Sequence, residues 1–146
     1  MRPDGDNYVS LPVRASIPES AHHKQLINYL RAEGIPHSGS MNGEFSRARD
    51  RCRALQMGLS VGHPDVAVYA ARGGYHGLFV ELKRDAGSVV STAQALYHHE
   101  LRLGGYKVVV AVGVVEAVGA VEAYMAKPRT LSAVALKLDD GEWLKS

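Results

Sequence analysis

Two apolar segments on either side of a glycine-rich turn constrain the fold of this chain more than any other feature. The first, residues 66–70, directly follows Asp65, and the second, residues 77–83, ends on an acid and a lysine that flank one leucine. Short apolar segments joined through glycines are typical of an antiparallel β-hairpin. Because side chains alternate along a strand, Glu81 and Lys83 should share one face, and pairing of the strands would bring Asp65 to Glu81.

Helical signals surround this hairpin. Apolar residues recur at helical spacing between capping residues and glycines in four segments, residues 16–33, 46–57, 91–103 and 115–125, with Ser16 as the expected cap of the first. Residues 107–112 are almost continuously apolar, which predicts a third strand at a buried position, and residues 37–45 are predicted as a loop. The order predicts an α/β fold, a small mixed β-sheet flanked by helices, with a right-handed parallel crossover from residues 77–83 to residues 107–112.

The composition fits one domain of an ordinary globular protein. The chain has 146 residues, 46% hydrophobic and 22% charged, and its net charge of +2 is too small to identify a polyanionic partner. Residues 17–126 are predicted as the folded domain, after a poorly ordered lead-in over residues 1–16 and before an extension over residues 127–146 that packs on it. The single cysteine, Cys52, and the lack of a signal-peptide pattern or an apolar span predict a cytoplasmic protein.

The predicted meeting of two carboxylates suits a particular chemistry. Together with the Leu82 carbonyl oxygen, Asp65 and Glu81 would supply oxygen ligands of the kind that Mg²⁺ or Mn²⁺ prefers, and such a cation lowers the pKa of a bound water. The Lys83 ammonium could orient the attacking water or stabilise charge that develops on a phosphate. The sequence Glu-x-Lys alone is common and most often forms a surface ion pair, so the prediction depends on the pairing with Asp65.

The wider pattern resembles the VRR-NUC (virus-type replication–repair nuclease) family of the PD-(D/E)xK nuclease superfamily. The resemblance covers about residues 17–126 and combines several short motifs. They are Glu19 on the first helix, Gly62-His63-Pro64-Asp65, Gly73-Gly74, the strand over residues 77–83, Gly87, Ser91-Thr92-Ala93-Gln94 and Gly104-Gly105-Tyr106. The resemblance implies a restriction-endonuclease-like core, with residues 17–126 as the nuclease domain, and a metal-dependent DNA endonuclease.

The same resemblance implies roles for individual residues. The implied set is Glu19, Asp65, Glu81, Leu82, Lys83 and Gln94. In this set the two hairpin carboxylates and the Leu82 carbonyl oxygen bind Mg²⁺ or Mn²⁺, and Lys83 is the catalytic lysine. Glu19 completes the site, directly or through a water molecule, and Gln94 supports the site or the substrate.

The chain is similar to the small stand-alone members of the family, which are phage or bacterial. This similarity implies a homodimer that acts on branched DNA such as four-way (Holliday) junctions, without a membrane or a nucleotide cofactor. A compact subunit with one site can cut two strands only by pairing. One position departs from the family pattern, which more often has an apolar residue where this chain has His63; the imidazole either touches a phosphate or packs against the turn.

Basic residues on the second predicted helix give another indication of a DNA partner. Arg47 and Arg51 share one face of that helix, and Arg49 and Arg53 share an adjacent face. Their expected role, and that of Arg84 beside the site, is contact with phosphates without reading of the sequence. The alternative is a solvated helix face with local pairing to an acid.

Histidines suggest a competing metal site. His22-His23 and His98-His99 are adjacent pairs, whereas zinc ligands on a helix lie three or four residues apart and usually include cysteines. His23 lies one helical turn after Glu19 and is expected near the same cleft. A surface or supporting role for these histidines is therefore favoured over a zinc site.

Three functions agree with these observations to different degrees. A metal-dependent endonuclease is favoured because every acid and lysine position of the implied site is present. The first alternative is a catalytically inactive module that retains the nuclease fold and binds DNA. The second is an interaction protein that has no role with nucleic acids.

Overall fold

The computed structural model describes residues 17–40 and 47–131, which contain four helices and four strands. The helices are α1 (Glu19–Ala32), α2 (Ala48–Gln56), α3 (Thr92–Leu103) and α4 (Gly113–Met125). The strands are β1 (His37–Gly39), β2 (Val66–Val68), β3 (Leu78–Lys83) and β4 (Lys107–Val112).

The strands form one mixed sheet in the order β1-β2-β3-β4. Strands β1 and β2 and strands β2 and β3 pair antiparallel, whereas β3 and β4 pair parallel. The predicted hairpin and the predicted parallel connection from β3 through α3 to β4 are therefore confirmed. Together with the four helices, this sheet confirms the predicted α/β fold class.

Helices cover both faces of the sheet. Leu26 and Leu30 of α1 and Tyr124 of α4 are fully or almost fully buried in one core with Val80 and Leu82 of β3. Alternation along β3 turns Glu81 and Lys83 to the opposite face, where side chains of α3 contact them. One face of the sheet is apolar and packs on α1 and α4. The opposite face carries the polar site, which lies beneath α3.

Two sequence predictions about the strands were wrong. Residues 37–39, predicted as loop, form an edge strand because their backbone groups pair with β2. Strand β4, predicted at a buried position, is an edge strand of the described sheet, and Val110 on it is 39% exposed. Helix α1 begins at Glu19 after Pro18, which makes no side-chain capping bond; the proposed cap Ser16 and the lead-in over residues 1–16 lie outside the described residues.

The segment after α4 returns to the turn between β2 and β3. The Gly73 N–H donates to the Pro128 carbonyl oxygen at 2.8 Å, and the Thr130 N–H donates to the Ala71 carbonyl oxygen at 3.1 Å. Residues 132–146 of the predicted C-terminal extension lie outside the described part, so the division into a domain over residues 17–126 and an extension remains a prediction. None of the helices in the described part is long and apolar enough to cross a bilayer.

Candidate active site

The register of the hairpin places the two predicted carboxylates opposite each other. Val66 pairs with Val80, so one further step along the antiparallel ladder sets Asp65 across from Glu81. The Asp65 Oδ2 atom accepts a hydrogen bond of 2.7 Å from the Leu82 N–H, which holds this carboxylate at the end of β3. The meeting of strand ends expected from the sequence is thus present.

Glu81 is a buried carboxylate with a dense set of neighbours. Its side chain is 3% exposed, and its Oε1 atom lies 3.3 Å from Lys83 Nζ. The same oxygen accepts a hydrogen bond from Gln94 Nε2. Charge-assisted bonds of this kind fix the carboxylate in place more firmly than neutral ones.

Gln94 links Glu81 and Lys83 of β3 to the first turn of α3. Its Oε1 atom accepts from Lys83 Nζ at 3.1 Å and from the Ser91 N–H at 2.9 Å, while its Nε2 atom donates to Glu81. The Ser91 hydroxyl in turn accepts from the Gln94 N–H, which completes a capping box at the helix N-terminus. With two donors at one end and a carboxylate at the other, only one orientation of the amide satisfies every contact.

Close packing at Gly62 sets the segment before β2 against α3. Gly62 has φ of +83°, and a Cβ atom built there would lie 2.5 Å from the Ala93 carbonyl oxygen. A side chain would therefore force the two backbones apart. The motif Gly62-His63-Pro64-Asp65 needs its glycine because the segment that presents Asp65 passes directly over the first turn of α3.

Burial sets the protonation of the two carboxylates. Together with the charge of Asp65, it raises the pKa of Glu81 to about 7, whereas Lys83 opposes the change. Burial also raises the pKa of Asp65, against the hydrogen bond from the Leu82 N–H. A cation that binds Glu81 therefore displaces a proton below about pH 7, so its affinity should fall as the pH decreases through that value.

Glu19 belongs to the same electrostatic group. It lines a cleft of about 250 Å³ together with Asp65, Glu81 and Gln94. Its charge raises the pKa of both hairpin carboxyls. The sequence-predicted acid of α1 is therefore brought to the cleft.

The residues of the cleft fit a hard divalent cation of few protein ligands. The Glu81 Oε2 atom is buried and accepts no hydrogen bond from the described residues, and after burial itself the charges of Asp65 and Glu19 raise the pKa of this carboxyl. Within residues 17–40 and 47–131, no group of three or more Asp, Glu, His or Cys side chains is arranged so that it could hold a metal ion. Mg²⁺ does not need three such ligands because it retains several of its waters and binds through one or two carboxylates.

The predicted DNA-binding arginines are not equally close to the cleft. Arg51 lines it, whereas Arg47, Arg49 and Arg53 are exposed elsewhere on or beside α2. Arg49 Nε lies 3.9 Å from an Asp50 carboxylate oxygen, which agrees with the local pairing considered as the alternative. Arg84, next to the site in sequence, is half exposed and pairs with Asp85 at 3.1 Å.

His63 both lines the cleft and packs on aromatic rings. Its ring lies edge-on to Phe79 and to Tyr97, with centroids 5.7 and 5.3 Å apart, and its Nδ1 atom donates to the Pro64 carbonyl oxygen at 2.7 Å. Of the two roles considered from the sequence, packing is present. Contact with a phosphate remains a prediction.

Sequence reasoning missed His98, which is the buried neighbour of Glu81. His98 is 2% exposed, and its Nε2 atom lies 3.5 Å from Glu81 Oε2; neither atom has a hydrogen-bond partner among the residues that the structure describes. Burial, with the charges of Arg102 and Lys83, lowers the pKa of His98, so this contact joins a neutral imidazole to the carboxyl and is no ion pair. The spacing could have shown it, because His98 lies one helical turn after Gln94, on the same face of α3.

Comparison with known proteins identifies the fold family. A solved structure titled "VRR_NUC domain protein" matches with a TM-score of 0.64 and 25% sequence identity, over 79% of this chain and 93% of that one. This likeness supports membership of the VRR-NUC family. A second structure, titled "VRR_NUC domain", matches less well, with a TM-score of 0.49 and 23% identity over 73% of this chain and 96% of its own length. No family model and no curated protein matches the sequence.

Proposed function

We propose that this protein is a Mg²⁺- or Mn²⁺-dependent endonuclease that hydrolyses DNA phosphodiester bonds. The observation that carries the proposal is the convergence of Asp65, Glu81 and Lys83 in one largely buried polar cluster under α3. Burying two carboxylates and an ammonium costs several kcal/mol per ion in desolvation, so a cluster of this kind is seldom favoured by stability alone. Shifted pKa values in a cleft are typical of functional sites.

In this proposal Asp65, Glu81 and the Leu82 carbonyl oxygen would hold the cation, and Glu19 would add charge beside it. When bound, a divalent cation would supply neutralisation of phosphate charge and a more acidic water. Lys83 orients the attacking water or stabilises the charge that develops on the phosphoryl oxygens as the new P–O bond forms and the bond to the leaving oxygen breaks. Gln94 positions both Glu81 and Lys83 through the oxygen and the nitrogen of its side-chain amide.

Branched DNA, such as a four-way junction, is the proposed substrate, cut by a homodimer. The support is the resemblance to small stand-alone family members and the need for two sites to cut two strands. Arg51 at the cleft and His63 beside it are the proposed phosphate contacts nearest the bond that breaks. The alternative is a binding module that has kept the nuclease fold and lost cleavage.

Metal removal separates these two functions. We expect the purified protein to cut a labelled four-way junction in Mg²⁺ or Mn²⁺ and to leave it intact in EDTA, with activity restored when the metal is returned. Linear duplex and single strands of the same sequence measure the preference for branches. Salt-sensitive binding of the junction without cutting in either metal would favour the binding module, and absence of binding would favour a protein without a nucleic-acid role.

Replacing His98 by leucine is expected to weaken binding of Mn²⁺ about 10- to 100-fold. The His98 Nε2 atom lies 3.5 Å from Glu81 Oε2, close enough to bond to this oxygen once a cation holds the carboxylate, and loss of a polar group beside a metal ligand typically has an effect of this size. Calorimetric titration with Mn²⁺ measures the change independently of activity.

Two further variants control this experiment. His98→Gln keeps a polar group at the site and should recover part of the affinity. His99→Leu, at the exposed neighbouring position, should bind Mn²⁺ as the unsubstituted protein does. Unchanged Mn²⁺ affinity in a folded His98→Leu protein would contradict a supporting role for this histidine.

A further inference from the structure

A second concave surface lies between α1 and the edge strand β1, and we refer to it as the α1–β1 groove. It has a volume of about 360 Å³. Its polar lining includes Ser20, Lys24 and Arg31 from α1 and His37 and Ser40 from the β1 side. None of these five side chains takes part in the proposed hydrolysis.

The cations of the groove are arranged in a line. Lys24, Ile27 and Arg31 follow one another at three- and four-residue spacing, so they share one face of α1. From Ser20 to Arg31 this face is about 16 Å long, and Lys24 and Arg31 are separated by about 10 Å along the helix axis. Two cations so far apart suit an extended polyanion better than a single phosphate.

The charge of the groove is unbalanced. Its lining contains no carboxylate, and within the part of the chain that the structure describes, Lys24 and Arg31 form no ion pair. Both side chains are exposed. Arg31 lies in the last turn of α1, where its charge interacts favourably with the negative end of the helix dipole. Lys24 lies in the second turn, so the helix dipole does not explain its presence.

One end of the groove reaches the proposed active site. The Ser40 N–H donates to the Asp65 carbonyl oxygen at 2.7 Å, and the charge of His23, another residue of the groove, acts on the Asp65 carboxyl. Gly39 allows this approach, because a Cβ atom there would lie 2.9 Å from His23 Nε2. A chain that lay in the groove would therefore enter the cleft beside Asp65.

The β1 side of the groove is polar and held in place. His37 Nδ1 donates to the Ile35 carbonyl oxygen at 2.7 Å, and the Ser38 hydroxyl is 2.7 Å from the Tyr69 hydroxyl. The Ser40 hydroxyl is buried and has no hydrogen-bond partner within residues 17–40 and 47–131. Hydroxyls and cations on a fixed surface are the groups that proteins use to contact nucleic-acid phosphates.

We propose that the α1–β1 groove binds the sugar–phosphate backbone of a substrate DNA strand on one side of the bond that is cut. Lys24 and Arg31 contact two different phosphates of that strand, and the contacts carry no sequence preference. The inference rests on the proposed function, since it supplies the path by which the strand reaches the cleft.

Binding of a labelled four-way junction in EDTA, where metal-dependent cutting cannot occur, tests the groove. The double variant Lys24→Gln/Arg31→Gln should bind about tenfold more weakly near 100 mM salt, and the slope of log affinity against log salt should fall by about 2, one for each cation removed. The matched control is Lys127→Gln/Arg129→Gln, which removes the same charge from exposed positions outside the groove. Thermal unfolding of both variants checks that each remains folded.

Equal weakening in the two double variants would show that only net charge matters and would overturn the proposal, as would unchanged binding in the groove variant. Cleavage by the unsubstituted protein in Mg²⁺ is measured in parallel. If binding depends on the groove but no cleavage occurs, the proposed nuclease activity is wrong and the proposed role of the groove stands. If cleavage occurs but binding does not depend on the groove, the nuclease activity stands and the role of the groove is wrong.

Single neutral methylphosphonates in the junction locate the contacts. A substitution one to three nucleotides to one side of the cut should weaken binding by the unsubstituted protein and have little further effect on Lys24→Gln/Arg31→Gln. Additive losses would mean that the groove contacts other phosphates, and the proposed path would be wrong.

Discussion

Replacing Asp65 by asparagine is expected to reduce the cleavage rate at least about a thousandfold and to remove measurable Mn²⁺ binding. Asparagine has the same shape, and its carbonyl oxygen can still accept the hydrogen bond from the Leu82 N–H, so the hairpin should stay intact. The charge that attracts the cation is lost, and a catalytic metal contributes several kcal/mol, of which about 1.4 kcal/mol is a factor of ten in rate. Single-turnover cleavage and calorimetry with Mn²⁺ measure the two effects.

The control for this substitution is Asp50→Asn on α2, which makes the same chemical change at a carboxylate that does not line the cleft. The Asp50→Asn protein should keep both the cleavage rate and the Mn²⁺ affinity of the unsubstituted protein. Raised pH provides a second check on the unsubstituted protein, because Mn²⁺ affinity should increase up to about pH 7 as Glu81 loses its proton. Retention of Mn²⁺ binding by a folded Asp65→Asn protein would show that the cation binds elsewhere.

Replacing Lys83 by alanine should lower the cleavage rate about 100- to 1,000-fold while junction binding remains. Removal of one preorganised group that stabilises developing charge has an effect of this size. Lys83 is 8% exposed and held by Gln94 and Glu81, so the position of its ammonium is fixed before substrate arrives. Binding in EDTA and single-turnover cleavage at saturating Mg²⁺ separate the chemical step from substrate affinity.

Two outcomes distinguish this role of Lys83 from a merely structural one. If the lysine acts on the chemical step, Mn²⁺ affinity should be kept or increased, since a positive charge next to the cation is removed. The next cation along the chain, Arg84, pairs with Asp85 and should not restore the rate. Loss of junction binding equal to the loss of cleavage would mean that Lys83 serves the substrate complex only.

The local parts of the fold were predictable from sequence, and the parts set by distant partners were not. Strand alternation and a glycine turn define the hairpin and its register within one short segment, so the meeting of Asp65 and Glu81 followed from local rules. Strand β1 has three residues, one of them glycine, and becomes a strand only because β2 is beside it. Strand β4 is as apolar as a buried strand, yet it lies at an edge of the described sheet and α4 packs on it.

The candidate site shows the same division. A supporting role for Gln94 was implied by family resemblance, whereas His98 was considered only with its neighbour His99 as a zinc pair, and its spacing from Gln94 was overlooked. The four arginines of the second helix were conspicuous because they cluster in sequence, but of these four only Arg51 reaches the cleft. The cations of α1 are seven residues apart and became visible as a set only when β1 completed the groove.

The double use of Gln94 has a consequence for how such a nuclease can change over evolutionary time. Gln94 completes the capping box at the N-terminus of α3 and also contacts the acid and the lysine of β3, so the start of the helix is tied to the proposed active site. Among the described contacts, the connecting segment between Lys83 and Ser91 has no comparable tie to the cluster. Insertions and deletions should therefore accumulate in that linker, whereas a shift of the helix start by a single residue would disassemble the machinery.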